Sequence, residues 1–235
     1  MSSQTDNSDL YFVQLAVGPM GNLAYLVGSL SARECLIVDP AWSIDGLLEQ
    51  TEQDDMAVVG VLATHYHQDH VGGTFQGQHI EGVDQLLARR PVPLHINRND
   101  VEGLTRITGV SDSQLAVHEG GDVIELGAVR VRLLHTPGHT AGSQCCLAEE
   151  AGKPAHLVSG DTLFVDSCGR VDLPDSDPEA MYASLCDLKE LPDDTLVFPG
   201  HLSSPEAYST IGAQKRSNPF LRATSREMFL SFMGY

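Results

Sequence analysis

Short apolar runs separated by turn residues make up most of the first forty residues. Their pattern predicts three strands over residues 11–17, 23–27 and 35–39, divided by Gly-Pro, Gly-Asn and polar turns. Residues 43–52 predict a short helix with Ser43 as its N-cap. Residues 58–64 form a continuous apolar run rich in β-branched side chains. Such a run is typical of a strand that is buried on both faces.

The rest of the chain alternates between helical and extended patterns. Helices are predicted over residues 82–89, 100–107 and 178–188, and the tail from residue 205 to 235 is partly helical. Strands are predicted over residues 92–96, 122–126, 129–135, 143–148, 156–159 and 195–198. Because strands and helices alternate in both halves, the pattern predicts an α/β protein in which helices cover two sheets.

The composition narrows the classes of partner. The chain carries 32 Asp and Glu residues against 14 Lys and Arg residues, for a formal net charge of −18 over 235 residues. Such a surface repels phosphates, so neither a nucleic acid nor a membrane is an expected partner. The first nine residues lack the basic and apolar regions of a signal peptide, and the five cysteines lack C-x-x-C spacing. We therefore expect a cytoplasmic enzyme without a disulfide framework.

Three histidines and an aspartate follow the apolar run directly: His65, His67, Asp69 and His70. At strand spacing, His65 and His67 project to the same side, and a helix that starts after them would bring Asp69 and His70 alongside. Imidazole and carboxylate are favoured ligands of zinc, iron and manganese. The glycine pair that follows, residues 72–73, removes side-chain bulk where a helix start could approach closely.

Three further apolar strands end in a single candidate ligand each. The segments close with His139 after a Pro-Gly turn, with Asp161 after Ser-Gly, and with His201 after a second Pro-Gly turn. A ligand at the end of a strand is held by a rigid scaffold and still faces an open crevice, as a catalytic metal requires. Four such segments in one chain predict a metal-dependent active site.

The four motifs together resemble the metallo-β-lactamase superfamily. They run in order as His65-x-His67-x-Asp69-His70, Thr136-Pro-Gly-His139-Thr140, Ser159-Gly-Asp161 and Pro199-Gly-His201, and the likeness extends over nearly the whole chain. The resemblance implies an αβ/βα four-layer sandwich, formed as a single domain over residues 1–235. The metals would then lie at one rim of two facing sheets.

The same resemblance implies two divalent metal ions, zinc first, with iron or manganese as alternatives. One ion would be held by His65, His67 and His139, the other by Asp69, His70 and His201, and Asp161 would bridge the two. Asp69 and Asp161 would be the catalytic carboxylates. A hydroxide shared by the two metals would act as the nucleophile, and the metals would stabilise the oxyanion of a tetrahedral intermediate.

Residues 160–164, 168–172 and 209–221 look most like the glyoxalase II and persulfide dioxygenase branch. Glyoxalase II hydrolyses the thioester bond of S-acylglutathione, so the implied substrate is a small thiol conjugate derived from glutathione. Persulfide dioxygenases oxidise glutathione persulfide at a single iron, and the triad here would be His65, His139 and Asp161. A lactone hydrolase uses nearly the same metal set and is the third alternative, whereas β-lactamase activity is disfavoured.

Other details set narrower expectations. Only 34 residues follow His201, so no separate C-terminal helical domain is expected, and Leu202 stands where this family often has tyrosine. Arg170 is the residue we expect to contact an anionic substrate. The alternative is that its side chain forms a structural salt bridge. Cys168 is expected to be a buried small apolar residue. A homodimer is compatible with the sequence.

Overall fold

The apolar runs of the first half of the chain form strands in a computed structural model, which describes residues 8–235. The polar residues 1–7, on which most of the signal-peptide prediction rests, lie outside the described residues. The strands of this half are β1 Leu10–Val17, β2 Asn22–Ser29, β3 Glu34–Val38, β4 Ala57–Leu62, β5 Gly73–Phe75, β6 Gln78–Ile80, β7 Leu94–Asn97 and β8 Leu115–His118. Six of them pair in the order β1-β2-β3-β4-β7-β8, and β5 and β6 form a separate hairpin.

The second half forms a matching sheet. Its strands are β9 Val123–Leu126, β10 Val129–His135, β11 Gln144–Glu149, β12 His156–Gly160, β13 Leu163–Phe164, β14 Ser167–Cys168, β15 Leu196–Pro199 and β16 Ser209–Thr210. Six of them pair in the order β16-β15-β12-β11-β10-β9, and β13 and β14 form a small hairpin. The helices are α1 Ile44–Gln53, α2 Gln68–Val71, α3 Val83–Arg89, α4 Val101–Thr108, α5 Pro178–Lys189, α6 Ile211–Ser217 and α7 Arg226–Met233.

Three apolar clusters hold these elements together. Successive side chains of a strand point to opposite faces of the sheet, so neighbouring residues belong to different clusters. Leu26 and Ile37 point outward from the first sheet and pack in one cluster with residues of α1, α3 and α4. Their neighbours Tyr25 and Leu36 point inward and meet residues of β10 and β11 between the sheets. A third cluster lies between the second sheet and helices α5, α6 and α7. The layers therefore run helix, sheet, sheet, helix, which confirms the predicted four-layer sandwich.

The directions of the strands bring several strand ends to one rim. Strands β3, β4 and β7 are parallel, and β10, β12 and β15 also share one direction, because β10 and β12 both pair antiparallel with β11 while β12 and β15 are parallel. The backbone N–H of Gln144 donates to the Thr64 carbonyl at 2.8 Å, and its side chain donates to the Ala63 carbonyl at 2.9 Å. These bonds join the two sheets at the rim where all four motifs lie.

The structure corrects some local predictions. The strand predicted over residues 92–96 is Leu94–Asn97, and the pattern missed β8 and the two short hairpins. Ser43 precedes α1 but makes no side-chain capping hydrogen bond, because its ψ of 63° is far from the extended conformation of a capping residue. Among the described residues, no helix combines the length and apolar character that crossing a membrane requires.

Candidate metal centre

The first group of candidate ligands comprises His65, His67 and His139, whose ligand atoms lie within 4.8 Å of one another. His65 Nδ1 is 3.0 Å from Thr64 Oγ1, which leaves His65 Nε2 facing the centre. His67 Nδ1 is 2.9 Å from His139 Nε2. The other ring nitrogen of His139 donates to the Arg170 carbonyl at 2.8 Å. Each outer contact fixes which nitrogen points inward, as the second partner of a metal-binding histidine does.

The second group comprises Asp69, His70 and His201. As predicted, the chain turns into a helix after His67, and α2 brings Asp69 and His70 to the rim. His70 Nε2 lies 3.1 Å from His201 Nε2 and 3.6 Å from Asp69 Oδ2. His201 Nε2 lies 3.3 Å from the same carboxylate oxygen. Gly72 has φ of +87°, and a Cβ there would be 2.5 Å from Gly82 Cα, so the close approach predicted for the glycine pair is confirmed.

Asp161 lies between the two groups. Its Oδ1 is 3.4 Å from His70 Nε2, and its Oδ2 is 3.5 Å from both His139 Nε2 and His201 Nε2. A Cβ built on Gly200 would lie only 2.4 Å from Asp161 Oδ1. The Pro-Gly turn before His201 therefore uses glycine to let the backbone pass the carboxylate. The structure brings together all seven predicted ligand residues, with Asp161 where a bridging ligand would be.

The donor set fits metal ions. Two ligands of a tetrahedral zinc, each about 2.0–2.3 Å from the ion, are about 3.3–3.7 Å apart. The distances from Asp69 Oδ2 to His201 and His70, 3.3 and 3.6 Å, lie in that range, and the two histidine pairs are slightly closer, at 2.9 and 3.1 Å. His65 Nε2 and Asp161 Oδ1 are buried polar atoms without a hydrogen-bond partner among the described residues. Such atoms are costly unless something binds them. Cations at the two groups would satisfy both.

The two groups differ in their proton affinity. Burial and neighbouring imidazoles lower the pKa of His65 well below its usual range, and they lower that of His67 to about 4. Burial would also lower the pKa values of His70 and His201, but Asp69 and the bridging carboxylate raise them to about 9 and about 10. Without a metal, His65 and His67 are therefore neutral, while His70 and His201 hold a proton more strongly than a free imidazole does. Because their Nε2 atoms lie only 3.1 Å apart, these two rings carry one imidazolium charge between them rather than one each.

Asp39 is the main supporting residue that the sequence analysis missed. It is buried, and its Oδ2 lies 3.0 Å from His70 Nδ1 and accepts from Thr64 Oγ1 at 2.7 Å. Its Oδ1 accepts from the Thr64 backbone N–H at 2.7 Å. Asp39 therefore orients His70 and ties the end of β3 to the end of β4. A signal existed, since Asp39 ends an apolar strand in the same manner as the predicted ligands.

Asn22 and Trp42 support Asp69 in the same way. The Asn22 side-chain amide donates to Asp69 O and to Asp69 Oδ2, both at 3.0 Å, and Trp42 Nε1 donates to Asp69 O at 3.1 Å. Trp42 has φ of +69°, a conformation that a bulky residue rarely adopts. The indole lies against Gly18, where a Cβ would be 2.4 Å from the ring. No sequence signal marked either residue, because both act across distant parts of the chain.

Arg170 forms the salt bridge that the sequence analysis gave as the alternative. Its guanidinium donates to both oxygens of Asp172 at 2.6 and 2.8 Å, and the side chain is 63% exposed. Its contact with a substrate stays a prediction, whereas its carbonyl already supports His139. Cys168 is buried in an apolar cluster, and burial raises the pKa of its thiol to about 12. The thiol is therefore neutral, which agrees with the predicted role of Cys168 as a buried small apolar residue.

Comparison with known proteins identifies the family. The model of the metallo-beta-lactamase superfamily matches residues 17–201. Hydroxyacylglutathione hydrolase GloC of Haemophilus influenzae is 33% identical over 202 residues, which cover 82% of this chain and 90% of that protein. The structure of ETHE1 from Myxococcus xanthus superposes with a TM-score of 0.78 at 30% identity, covering 95% of this chain and 90% of the other.

A further solved structure, TTHA1623 in a di-iron-bound form, has a TM-score of 0.68 and 31% identity, over 88% of this chain and 99% of the other. The family match, the hydrolase relative and the histidine and aspartate clusters support a metal-dependent hydrolase. With its two sheets, covering helices and motif-bearing rim, the chain belongs to the metallo-beta-lactamase superfamily.

Proposed function

We propose that this protein is a dinuclear metallohydrolase that cleaves the thioester of a small thiol, of the S-acylglutathione class. The observation that carries the proposal is the position of Asp161, whose two oxygens face His70 of one candidate group and His139 of the other. A carboxylate in that position suits a pair of metals rather than one. The hydrolase relative supports the substrate class.

The protein residues have distinct parts in this proposal. His65, His67 and His139 would hold one ion, Asp69, His70 and His201 the other, and Asp161 both. When bound, such ions activate water and polarise a carbonyl group. Asp39, Asn22 and Trp42 keep the ligands in place from outside. A thiolate leaves without protonation more readily than an amine does, so the site needs no separate general acid.

Zinc is the first metal we propose, because the ligand set is rich in imidazole. The di-iron form of TTHA1623 makes iron the principal alternative, and manganese is the third. A cytoplasmic location, and a homodimer as the assembly, belong to the same proposal.

A persulfide dioxygenase is the second candidate. The structural neighbour ETHE1 represents that branch. The triad for a single iron would be His65, His139 and Asp161, and His139 Nε2 lies 3.5 Å from Asp161 Oδ2. The other four ligand residues would then have no catalytic part.

Metal analysis and two assays separate the candidates. For the hydrolase we expect about two metal ions per chain and turnover of S-lactoylglutathione. One iron per chain, with oxygen uptake on glutathione persulfide and no thioester turnover, would rule out the hydrolase. Asp161→Ala should abolish either activity, whereas His70→Ala should cripple the hydrolase and largely spare a mono-iron dioxygenase.

A further inference from the structure

A cavity of about 300 Å³ opens beside the metal centre. Its lining includes Tyr66, Asn99, Asp100, Glu102, Arg106 and Asp175. The cavity adjoins the ligands because Tyr66 lies between His65 and His67 in the chain, and the rings of Tyr66 and His67 are 5.0 Å apart. Its volume is at the lower end of the range for small-molecule pockets.

Two of the lining residues, Asp100 and Asp175, hold Tyr66 in position by hydrogen bonds. Asp100 is buried, and its carboxylate accepts from the Tyr66 backbone N–H at 3.1 Å, Thr140 Oγ1 at 2.8 Å and the Gly142 N–H at 2.7 Å. Asp175 accepts a hydrogen bond from the Tyr66 hydroxyl. These bonds fix the Tyr66 ring as a rigid wall. Asp100 is fully engaged and offers little to a ligand, so recognition must come from the remaining residues.

Arg106 is the cation of this cavity. It is exposed on α4, and it makes no ion pair or side-chain hydrogen bond with any of residues 8–235 in the structure. Arg170, by contrast, is paired in a bidentate manner. The Tyr66 ring packs against Gly103, where a Cβ would be 2.6 Å away, and Gly103 lies three residues before Arg106 on the same face of the helix. Tyr66 and Arg106 are thus adjacent walls of one cavity.

The cavity also carries negative charge, from Asp175, from the exposed Glu102 and from the hydrogen-bonded Asp100. A lone anion such as a phosphate would meet one arginine and three carboxylates there, which is unfavourable. An α-amino acid end, with one carboxylate and one ammonium group, matches both signs. Charge-assisted hydrogen bonds of arginine to a carboxylate are among the strongest polar contacts.

We propose that this cavity binds the charged, non-reacting end of the thiol half of the substrate, with Arg106 binding its carboxylate. The inference rests on the proposed function and deepens it: the thiol half would be recognised at a second site outside the metal centre. Arg106 is then a specificity-determining residue. Thiols with several phosphates are disfavoured by the three carboxylates of the lining.

The test compares three thioesters with the same acyl group, on glutathione, on coenzyme A and on the uncharged N-acetylcysteamine. Arg106→Ala should raise KM for the glutathione thioester by about 10- to 100-fold, the effect of one charge-assisted hydrogen bond, and change kcat little. It should leave the kinetics of the N-acetylcysteamine thioester unchanged. Arg106→Lys should restore part of the loss. Arg130→Ala is the matched control, because Arg130 is an exposed arginine near the start of β10, whereas the rim lies at the other end of that strand.

A binding measurement separates failure of this inference from failure of the proposed function. Isothermal titration with S-methylglutathione, which cannot be hydrolysed, should show the same loss of affinity in Arg106→Ala. Thioester turnover by the wild type with no Arg106 effect, or an equal effect on the uncharged thioester, overturns the inference alone. If no thioester is turned over, the proposed function fails, and the titration still decides whether Arg106 binds a zwitterionic thiol. A wild type that does not bind S-methylglutathione, or prefers the coenzyme A thioester, also overturns the inference.

Discussion

The two candidate metal groups should differ in how strongly their metal affinity depends on pH. The experiment titrates zinc into the metal-free protein at several pH values. His65 and His67 of the first group are already neutral, because their pKa values are lowered. His70 and His201 of the second group have pKa values raised to about 9 and about 10, and their Nε2 atoms are 3.1 Å apart, so a metal must displace the one proton that they share.

The magnitude follows from those two values. At pH 7.5 a group with a pKa of about 9 is about 97% protonated, and one with a pKa of about 10 is almost fully protonated. Because the Nε2 atoms of the two rings are 3.1 Å apart and share one proton, binding at the second group releases about one proton. Its affinity should rise about tenfold per pH unit, or about 1.4 kcal/mol, between about pH 6.5 and 8.5. The sign is fixed, because protons stabilise the metal-free state of a group with a raised pKa, and the dependence fades as the pH passes about 10.

Isothermal titration in buffers of different ionisation enthalpy counts the released protons directly. We expect two equivalents of zinc, of which the more weakly pH-dependent one belongs to the histidine-only group. His70→Ala should remove the strongly pH-dependent equivalent and keep the other. The exposed His79 offers a control, since His79→Gln should leave both proton counts unchanged. If neither zinc equivalent releases close to one proton, the raised pKa values of His70 and His201 are wrong.

Three further perturbations address the residues that surround the ligands. Asp39→Asn should weaken the pH-dependent zinc equivalent about 10- to 100-fold by calorimetry, with the circular dichroism spectrum unchanged, as loss of an outer-shell carboxylate does. Gly200→Ala should lower kcat/KM at least about 100-fold, because the new Cβ would lie 2.4 Å from Asp161 Oδ1; activity near the wild-type value would contradict the close approach. Trp42→Phe removes one hydrogen bond to Asp69 and should lower the free energy of unfolding, measured in urea, by about 1 kcal/mol. A loss below about 0.3 kcal/mol would show that the indole N–H does not contribute to stability.

The sequence predicted the fold wherever an element carries a strong local signal, either a continuous apolar run or a proline at the first turn of a helix. The run over residues 58–64 corresponds to β4 Ala57–Leu62, and the helix predicted over residues 178–188, with proline in its first turn, is α5 Pro178–Lys189. The strand β8 Leu115–His118 was missed because it is a short edge strand whose residues are only partly buried or exposed. Hydrophobic alternation is weak in such a strand, and its existence depends on pairing with β7.

The candidate ligands were predictable for a different reason. Each is local, since a histidine or aspartate stands directly after a buried strand or in the turn that follows. Supporting residues such as Asn22 and Trp42 carry no local mark, because their role depends on reaching Asp69 across 47 and 27 positions of sequence. Arg106 was passed over for a related reason: only the structure shows that one arginine is paired and another faces a cavity beside the ligands.

Charge at the rim links these findings. In the metal-free protein one imidazolium charge, shared by His70 and His201, offsets one of the two carboxylates of Asp69 and Asp161, so the ligand set carries about one negative charge. Two divalent ions would add four positive charges while displacing one proton, which leaves the ligand set with a net charge of about +2. The rest of the chain is strongly acidic, with a formal net charge of −18 overall. Metal binding would thus create the local positive field that an anionic thiol conjugate needs, and Arg106 would add one cation in the otherwise acidic cavity where the thiol half would lie.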